Sequence, residues 1–349
     1  MWPFTKRTED RASYTDAAIA QILADAGGQG TLDHRNLSAA QTAAAATGRA
    51  LAAATVKGAD TRRTGFTSAV LYDIGCALML DGEGVFMIEV SSGGAVMLTR
   101  ASDHEIIGGP DPASWRYRVT LAGPTRNRQL NVPGETIFHP RVNMAPQQPH
   151  KGRSPFDLPG DSVRMAAGLE RLLADEAGAP SGFVLPYPEK VSALDAIKSD
   201  LAKARGRTQL VPSMSKSWEG ARAGAPSDWK PQRLGFNPPA EAAKIRESLF
   251  GELLAVAGIP VAMFAAGARA EGKREALRQW LHTALEPLSE VIETEARDKL
   301  SAEVSFDFTA LNASDIQGRA RAFQSLVAGG MPLEQAAAAS GILTPEDAD

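Results

Sequence analysis

The chain has one cysteine in 349 residues, Cys76, which excludes an internal disulfide and any cysteine-rich metal site. It lies in the apolar run "VLYDIGCALML" and reads as a packed core residue, not a nucleophile. Aromatic residues are scarce at 6%, so the helices must present faces built from the abundant alanine and glycine. No apolar run approaches the ~20 residues of a membrane span. The start, "MWPFTKRTEDR", lacks the apolar segment of a secretory signal. Together these read as a protein made in the cytoplasm with no membrane partner. Neither sign of charge dominates: the formal net charge is −4, with 22% charged and 44% apolar residues. This is an ordinary globular balance and not that of a basic nucleic-acid wrapper.

Chemistry-bearing constellations are missing too. The five histidines, His34, His104, His139, His150 and His282, are scattered without ligand spacing, which predicts no metal and no cofactor. "GGQG" at Gly27 to Gly30 and "DGEGVF" at Asp81 to Phe86 have the glycines of a phosphate loop. Neither has its strand-then-helix context or its lysine. No serine sits in a nucleophile elbow. The sequence predicts no catalytic residues and no enzyme.

A length of 349 residues exceeds one ordinary core, so two or three subdomains are expected. Up to about residue 60 the chain is alanine-rich and helical, in "YTDAAIAQILADAG" and "LSAAQTAAAATGRALAAATV". A helix over about Thr67 to Leu80 follows. The texture then changes to strands: "VFMIEVSSGGAVMLTR" reads as a hairpin turning at Gly93 and Gly94. "WRYRVTL" alternates, with Trp115, Tyr117, Val119 and Leu121 on one face. "ETIFHPRV" is a further short strand stopped by Pro140. A mixed or antiparallel sheet with one wet face is the expected product.

A proline- and glycine-dense loop leads to a helix capped at Asp161, over Ser162 to Glu176. A small basic unit comes next, with a helix near Ser192 to Ala204 and a strand at "TQLVPSM". It carries Lys190, Lys198, Lys203, Arg205 and Arg207. Asn237 caps a helix that begins at Pro238 and runs through Ile245, Leu249, Leu253 and Val256 to "AGIP". The connector "VAMFAAGARAEG" leads to about Lys273, where one amphipathic helix starts and continues to Leu300. Leu277, Leu281, Ala284, Leu285, Leu288 and Ile292 form its apolar side. Glu286, Glu290 and Glu293 form an acidic stripe opposite, expected to face solvent or a neighbouring subunit. Pro287 falls inside this helix without breaking its phase, which predicts a kink there. The strand "AEVSFDF" and two short helices in "SDIQGRARAFQSLVAGGMPLEQAAAASGI" close the chain.

The order of these phrases resembles the portal proteins of tailed bacteriophages, in the HK97-like group. The "MWPFTKR" start is similar, and "VLYDIGCALMLDGEGVFMIEV" with its hairpin, "WRYRVTL" and "NVPGETIFHPRV" looks like the family's wing. "GRSPFDLPGDSVRMAAGLERLL" and "IRESLFGELLAVAGIPVAMF" resemble its two stem helices. "LHTALEPLSEVIETEARDKL" is similar to its long helix, proline included, and "FDFTAL" with "RARAFQSLVAGGMPLEQAAAASGI" to its closing strand and terminal helices. The sequence departs from the group in reading "DGEGVFMIEV" where a Gly-Asn-Ala-Tyr phrase is frequent, and in stopping at Asp349 with no extended crown. Both departures fit a short portal of a small tailed phage or of a phage-like gene transfer particle.

The resemblance implies an α+β portal-type subunit that assembles into a ring of about twelve copies. It implies N-terminal helices and an α/β wing over 1–158, a first stem helix over 159–179, a clip over 180–236 and a second stem helix over 237–260. A tunnel loop over 261–272, the long kinked helix and wing strand over 273–311 and a short helical crown over 312–349 complete the division. The implied role is the head–tail connector at one capsid vertex of the virion, for DNA packaging, retention and ejection. Implied partners are the major capsid protein, the terminase large subunit, the head–tail adaptor and double-stranded DNA contacted without sequence specificity. Met263, Phe264, Arg269, Lys273 and Arg274 would face DNA. Lys190, Lys198, Lys203, Arg205 and Arg207 would meet motor and adaptor. Two other readings stay open: a head-completion connector that conducts no DNA, and an unrecognised bacterial enzyme.

Overall fold

The computed structural model describes residues 34–109, 111–178, 182–188, 209–213, 232–234, 240–264, 267, 269–312 and 316–340. The expected helices at "YTDAAIAQILADAG" and near Ser192 to Ala204 lie outside them. By contacts the chain divides into two units, one of Asp33–Val163 with Phe250–Asp349, the other of Met1–Leu32 with Arg164–Leu249.

In the larger unit, α1 (Ser38–Ala53) packs along α2 (Ser68–Leu80). The contact face of α1 is small: Ala39, Ala40, Ala43, Ala44, Thr47 and Gly48 are buried. A Cβ on Gly75 would stand 2.8 Å from the Gly48 Cα, so the backbones touch at a glycine–glycine crossing that any side chain would force apart. The helix-forming alanines thus serve packing as well as propensity. Thr67 caps α2 by accepting from the Val70 N–H at 3.2 Å, as Ser and Thr do at helix starts. Cys76 is half-buried in this contact, its thiol directed at the Ala44 carbonyl at 3.4 Å.

Helix α1 ends sooner than the sequence predicts. Thr55–Lys57 form a strand, β1, because β-branched Thr55 and Val56 favour extended backbone and find an antiparallel partner in β10 (Ser305–Asp307).

The five-stranded sheet is antiparallel throughout. Its strands are β2 (Phe86–Val90), β3 (Val96–Ile107), β4 (Arg116–Leu121), β5 (Arg128–Pro133) and β6 (Ile137–Phe138), in the order β5-β4-β3-β2-β6. The β2–β3 turn uses Gly94 at φ +75°, a left-handed conformation that suits glycine. The alternation in "WRYRVTL" is realised: Trp115, Tyr117, Val119 and Leu121 are buried, while Arg116 and Arg118 are exposed. The buried face forms one cluster with Val85 and Ile137. Strand β5 is an addition to the sequence expectation. The "ETIFHPRV" strand contracts to Ile137–Phe138 because Pro140 offers no N–H to continue the ladder.

In the smaller unit, β7 (Gly182–Pro188) pairs parallel with β8 (Gln209–Ser213) and antiparallel with β9 (Gln232–Leu234). Helices α3 (Gly160–Gly178) and α4 (Ala240–Val256) span the unit boundary. Helix α3 begins at Gly160, so Asp161 lies in its first turn instead of capping it. In the larger unit α5 (Ala270–Trp280), a π turn (Leu281–Leu285) and α6 (Glu286–Leu300) form one unbroken helical path. Helices α7 (Ile316–Ala328) and α8 (Leu333–Ala339) follow β10.

Candidate functional site

The connector after α4 turns at Gly258, φ +76°, whose missing Cβ would meet the Ala284 Cβ at 2.9 Å. The loop can therefore lie directly on the π turn. Pro260 then starts a single 3-10 turn, Val261–Met263. Val261 and Phe264 are 43% exposed. Met263 is half-buried and Arg269, at the N-cap of α5, is exposed. Lys273 is exposed and Arg274 half-buried one turn further on.

The helix deals with Pro287 just ahead of it. The Glu286 N–H bonds to the Leu281 carbonyl, five residues back, so the ladder is already in π register when it reaches the residue that has no N–H. A π bulge widens the turn at the point where the pyrrolidine ring would otherwise strike the preceding carbonyl. Leu281, Leu285, Leu288 and Ile292 are buried, as the apolar side of the projection requires. The acidic stripe is not uniform. Glu286 and Glu290 are exposed, and Glu286 pairs with His282 at 2.9 Å. Glu293 is half-buried and accepts the Phe306 N–H at 3.0 Å, tying α6 to β10.

A second cluster lies in the same unit, around three side chains that linear spacing does not connect. Glu83 follows α2, His104 is on β3 and His139 follows β6. Backbone contacts fix the frame. A Cβ on Gly82 would lie 2.0 Å from the Arg153 carbonyl carbon, and one on Gly152 would lie 2.1 Å from the Gly82 oxygen. The Val142 N–H donates to the Gly82 carbonyl at 2.8 Å, and the Arg153 N–H to the Val142 carbonyl at 3.0 Å. Within that frame the Gly152 N–H donates to Glu83 Oε2 at 2.6 Å. His139 Nε2 lies 3.3 Å from Glu83 Oε2, and His104 Nε2 lies 3.4 Å from Oε1. His139 Nδ1 meets the Tyr117 hydroxyl at 3.0 Å, and its backbone N–H donates to Glu295 Oε1 at 2.9 Å.

Burial pushes the Glu83 carboxyl up, but the bonds from His104, His139 and Gly152 outweigh it and hold the group well below the usual carboxylate range. Burial lowers His139 to about 4 in spite of Glu83 beside it, so the imidazole is neutral against an ionised carboxylate. Burial raises Tyr117 to about 12 and also raises Glu295. The cluster borders a cavity of about 1080 Å³ whose wall includes His34, Arg100, His104, His150 and Arg153.

The family model for phage portal proteins matches residues 67–348. The chain belongs to that family. Solved structures agree with the portal fold. A chain from the neck of an empty GTA particle computed with C6 symmetry gives a TM-score of 0.53 at 14% identity, over 87% of this portal chain and 96% of that one. A chain from the neck of a native GTA particle computed with C12 symmetry gives 0.50 at 17%, over 86% and 89%. A chain from the virion of a native gene transfer agent particle gives 0.50 at 16%, over 90% and 99%. At these identities the likeness is one of fold. No curated protein matches the portal chain.

Of the residues singled out in sequence, Met263, Phe264, Arg269, Lys273 and Arg274 share the connector and first turns of α5, whereas Lys190, Lys198, Lys203, Arg205 and Arg207 lie outside the described residues. Glu83 and Glu295 of this portal are not predicted as site residues. The one local signal for Glu83 is an acid between two glycines inside the apolar run "LMLDGEGVFMI". No helix among the described residues is long and apolar enough to cross a membrane.

Proposed function

We propose that this portal chain is the subunit of a ring at one capsid vertex, through which double-stranded DNA is packaged, held and ejected. The reading rests on the family match over residues 67–348, and likeness in fold to neck chains from C6- and C12-symmetric particles supports it. About twelve copies fit the second symmetry. In this reading 1–158 form the N-terminal helices and wing, 159–179 and 237–260 the stem, and 180–236 the clip that docks the terminase motor and then the adaptor. Residues 261–272 are the tunnel loop, 273–311 the long helix, kinked at Pro287, with the wing strand, and 312–349 the crown. The role is structural: residues in the ring hold and guide, and no bond is made or broken.

A conduit has to release what it touches. Each DNA phosphate neutralised by lysine or arginine adds salt-dependent affinity, so a densely basic wall would grip the duplex against sliding. A chain of net charge −4 with Arg269 and Lys273 exposed beside a small-residue loop offers a few phosphate contacts per subunit in an otherwise weakly repelling wall. Negative-stain microscopy of the purified chain is expected to give closed rings with an axial hole. Discs with a filled centre would favour a connector that conducts no DNA. Arg269→Ala is expected to leave rings intact and alter DNA packaging or retention. A cysteine at position 269 that fails to crosslink DNA in filled particles, while one elsewhere along the lumen succeeds, would remove the tunnel loop from the contact.

A further inference from the structure

We propose that Glu83, His104 and His139 form a binding site for one divalent transition-metal ion of the zinc class. The proposal stands on local geometry and is independent of the portal reading. One ligand atom from each residue lies within 4.8 Å of the other two. His139 Nε2 lies 3.3 Å from Glu83 Oε2 and His104 Nε2 lies 3.4 Å from Glu83 Oε1. Both are long for hydrogen bonds to an ionised carboxylate, which settle near ~2.7–2.9 Å. Each ends on its own oxygen of Glu83, and each matches the ~3.3 Å ligand–ligand spacing around an ion with ~2.0–2.1 Å bonds, so an ion between the two imidazoles would be met by Glu83 through either oxygen.

The surroundings supply what a metal centre needs beyond its ligands. A metal-bound imidazole is oriented by a partner on its other nitrogen, and His139 Nδ1 has the Tyr117 hydroxyl at 3.0 Å. Without the ion, Nε2–H of His139 donates to Glu83 and the phenol O–H donates to Nδ1. With the ion, Nε2 gives its lone pair to the metal, Nδ1 carries the proton and donates to the phenol oxygen. The imidazole changes tautomer and stays neutral. Glu83 is fixed independently by the Gly152 N–H at 2.6 Å. Glu83 and His139 are 7% and 2% exposed, whereas the His104 side chain is 25% exposed on the wall of the cavity. That open side provides an entry path and room for water as a fourth ligand. Arg100, on the same wall, is drawn off by Asp81 at 3.3 Å. Two imidazoles and one carboxylate select zinc, cobalt or nickel over magnesium or calcium, which prefer all-oxygen shells. A bound ion would clamp three backbone segments, after α2, in β3 and after β6.

The test titrates metal-stripped full-length chain with Co²⁺, whose tetrahedral complexes absorb strongly in the visible, and then with Zn²⁺ as competitor. The wild type is expected to saturate at one Co²⁺ per chain and lose the absorption to Zn²⁺. Glu83→Gln, which keeps the side-chain shape, and His104→Ala, on the cavity wall, are each expected to weaken binding at least about tenfold. His282→Ala, which removes the exposed His282–Glu286 pair, should leave the titration unchanged. Zinc should raise the unfolding temperature of the wild type, a chelator should reverse the rise, and His104→Ala should respond to neither. Should His104→Ala fail to fold, Glu83→Gln carries the comparison. Wild-type affinity no higher than that of the folded ligand variants, or a signal lost with His282→Ala in their place, would overturn the site.

Discussion

Glu290 and Glu83 are the same residue type in opposite surroundings. Glu290 stands exposed on α6, in a stripe that the sequence displays openly at helical spacing. Glu83 is 7% exposed and accepts from three donors contributed by distant segments. Between them come Glu295, half-buried on α6 and accepting the His139 N–H, and Glu293, half-buried and accepting the Phe306 N–H. An acid repeated along a helix is solvated because water costs it nothing. An acid isolated in an apolar run is retained only where the fold supplies its hydrogen bonds. The difference teaches that in this chain the structural weight of a carboxylate runs opposite to its prominence in the sequence.

That ordering can be tested by substitution and denaturant unfolding. Glu83→Ala should cost most, ~3–5 kcal/mol, because two imidazoles and the Gly152 N–H lose their acceptor in a buried place. Acidification should expose the same cluster. The unfolded chain protonates His139 near pH 6.5, whereas the folded chain does so only near pH 4. Stability contributed by the neutral imidazole is therefore complete above pH 6.5 and lost as pH falls towards 4, by up to about 3 kcal/mol. Glu295, raised by burial, works with the opposite sign, so the comparison is the slope of unfolding free energy in wild type against His139→Gln, expected to be flatter in the variant. Glu295→Ala should cost ~1–3 kcal/mol by stranding the His139 N–H. Glu293→Ala should cost ~0.5–1.5 kcal/mol, measured in the same way, through the lost bond to β10. The double variant Glu286→Gln, Glu290→Gln should stay within about 0.5 kcal/mol of wild type. A double variant as costly as Glu83→Ala would break the comparison.

Local pattern carries much of the fold into the sequence. The helix over about Thr67 to Leu80, the hairpin at Gly94, the alternating β4 and the apolar side of α5 and α6 all follow from periodicity or turn chemistry within a dozen residues. What escapes the sequence is short or distant. Three residues of β1 hold no period, and only Phe306 and its neighbours, far along the chain, make them a strand. Strand β5 is mostly polar and reads as loop until β4 pairs with it. A proline predicts an irregularity in the helix but not that a π turn absorbs it one turn earlier. The connector residues from Met263 to Arg274 are legible as a group because they are contiguous. Glu83, His104 and His139 are not, because spacing along the chain says nothing of what a five-stranded sheet brings side by side.

The pairing of β1 with β10 has a consequence in time. Thr55 takes its place opposite Asp307, so the partner is synthesised roughly 250 residues later, which at ~5–20 residues per second is a wait of about 10–50 s on the ribosome. The five-stranded sheet needs nothing beyond Phe138 for its ladder and can form early, while β1 remains an unpaired edge until Ser305–Asp307 has been made. Nascent chains would pass through that interval with an open strand available to one another, which makes a low concentration of nascent chains the natural condition for obtaining this protein in its native pairing.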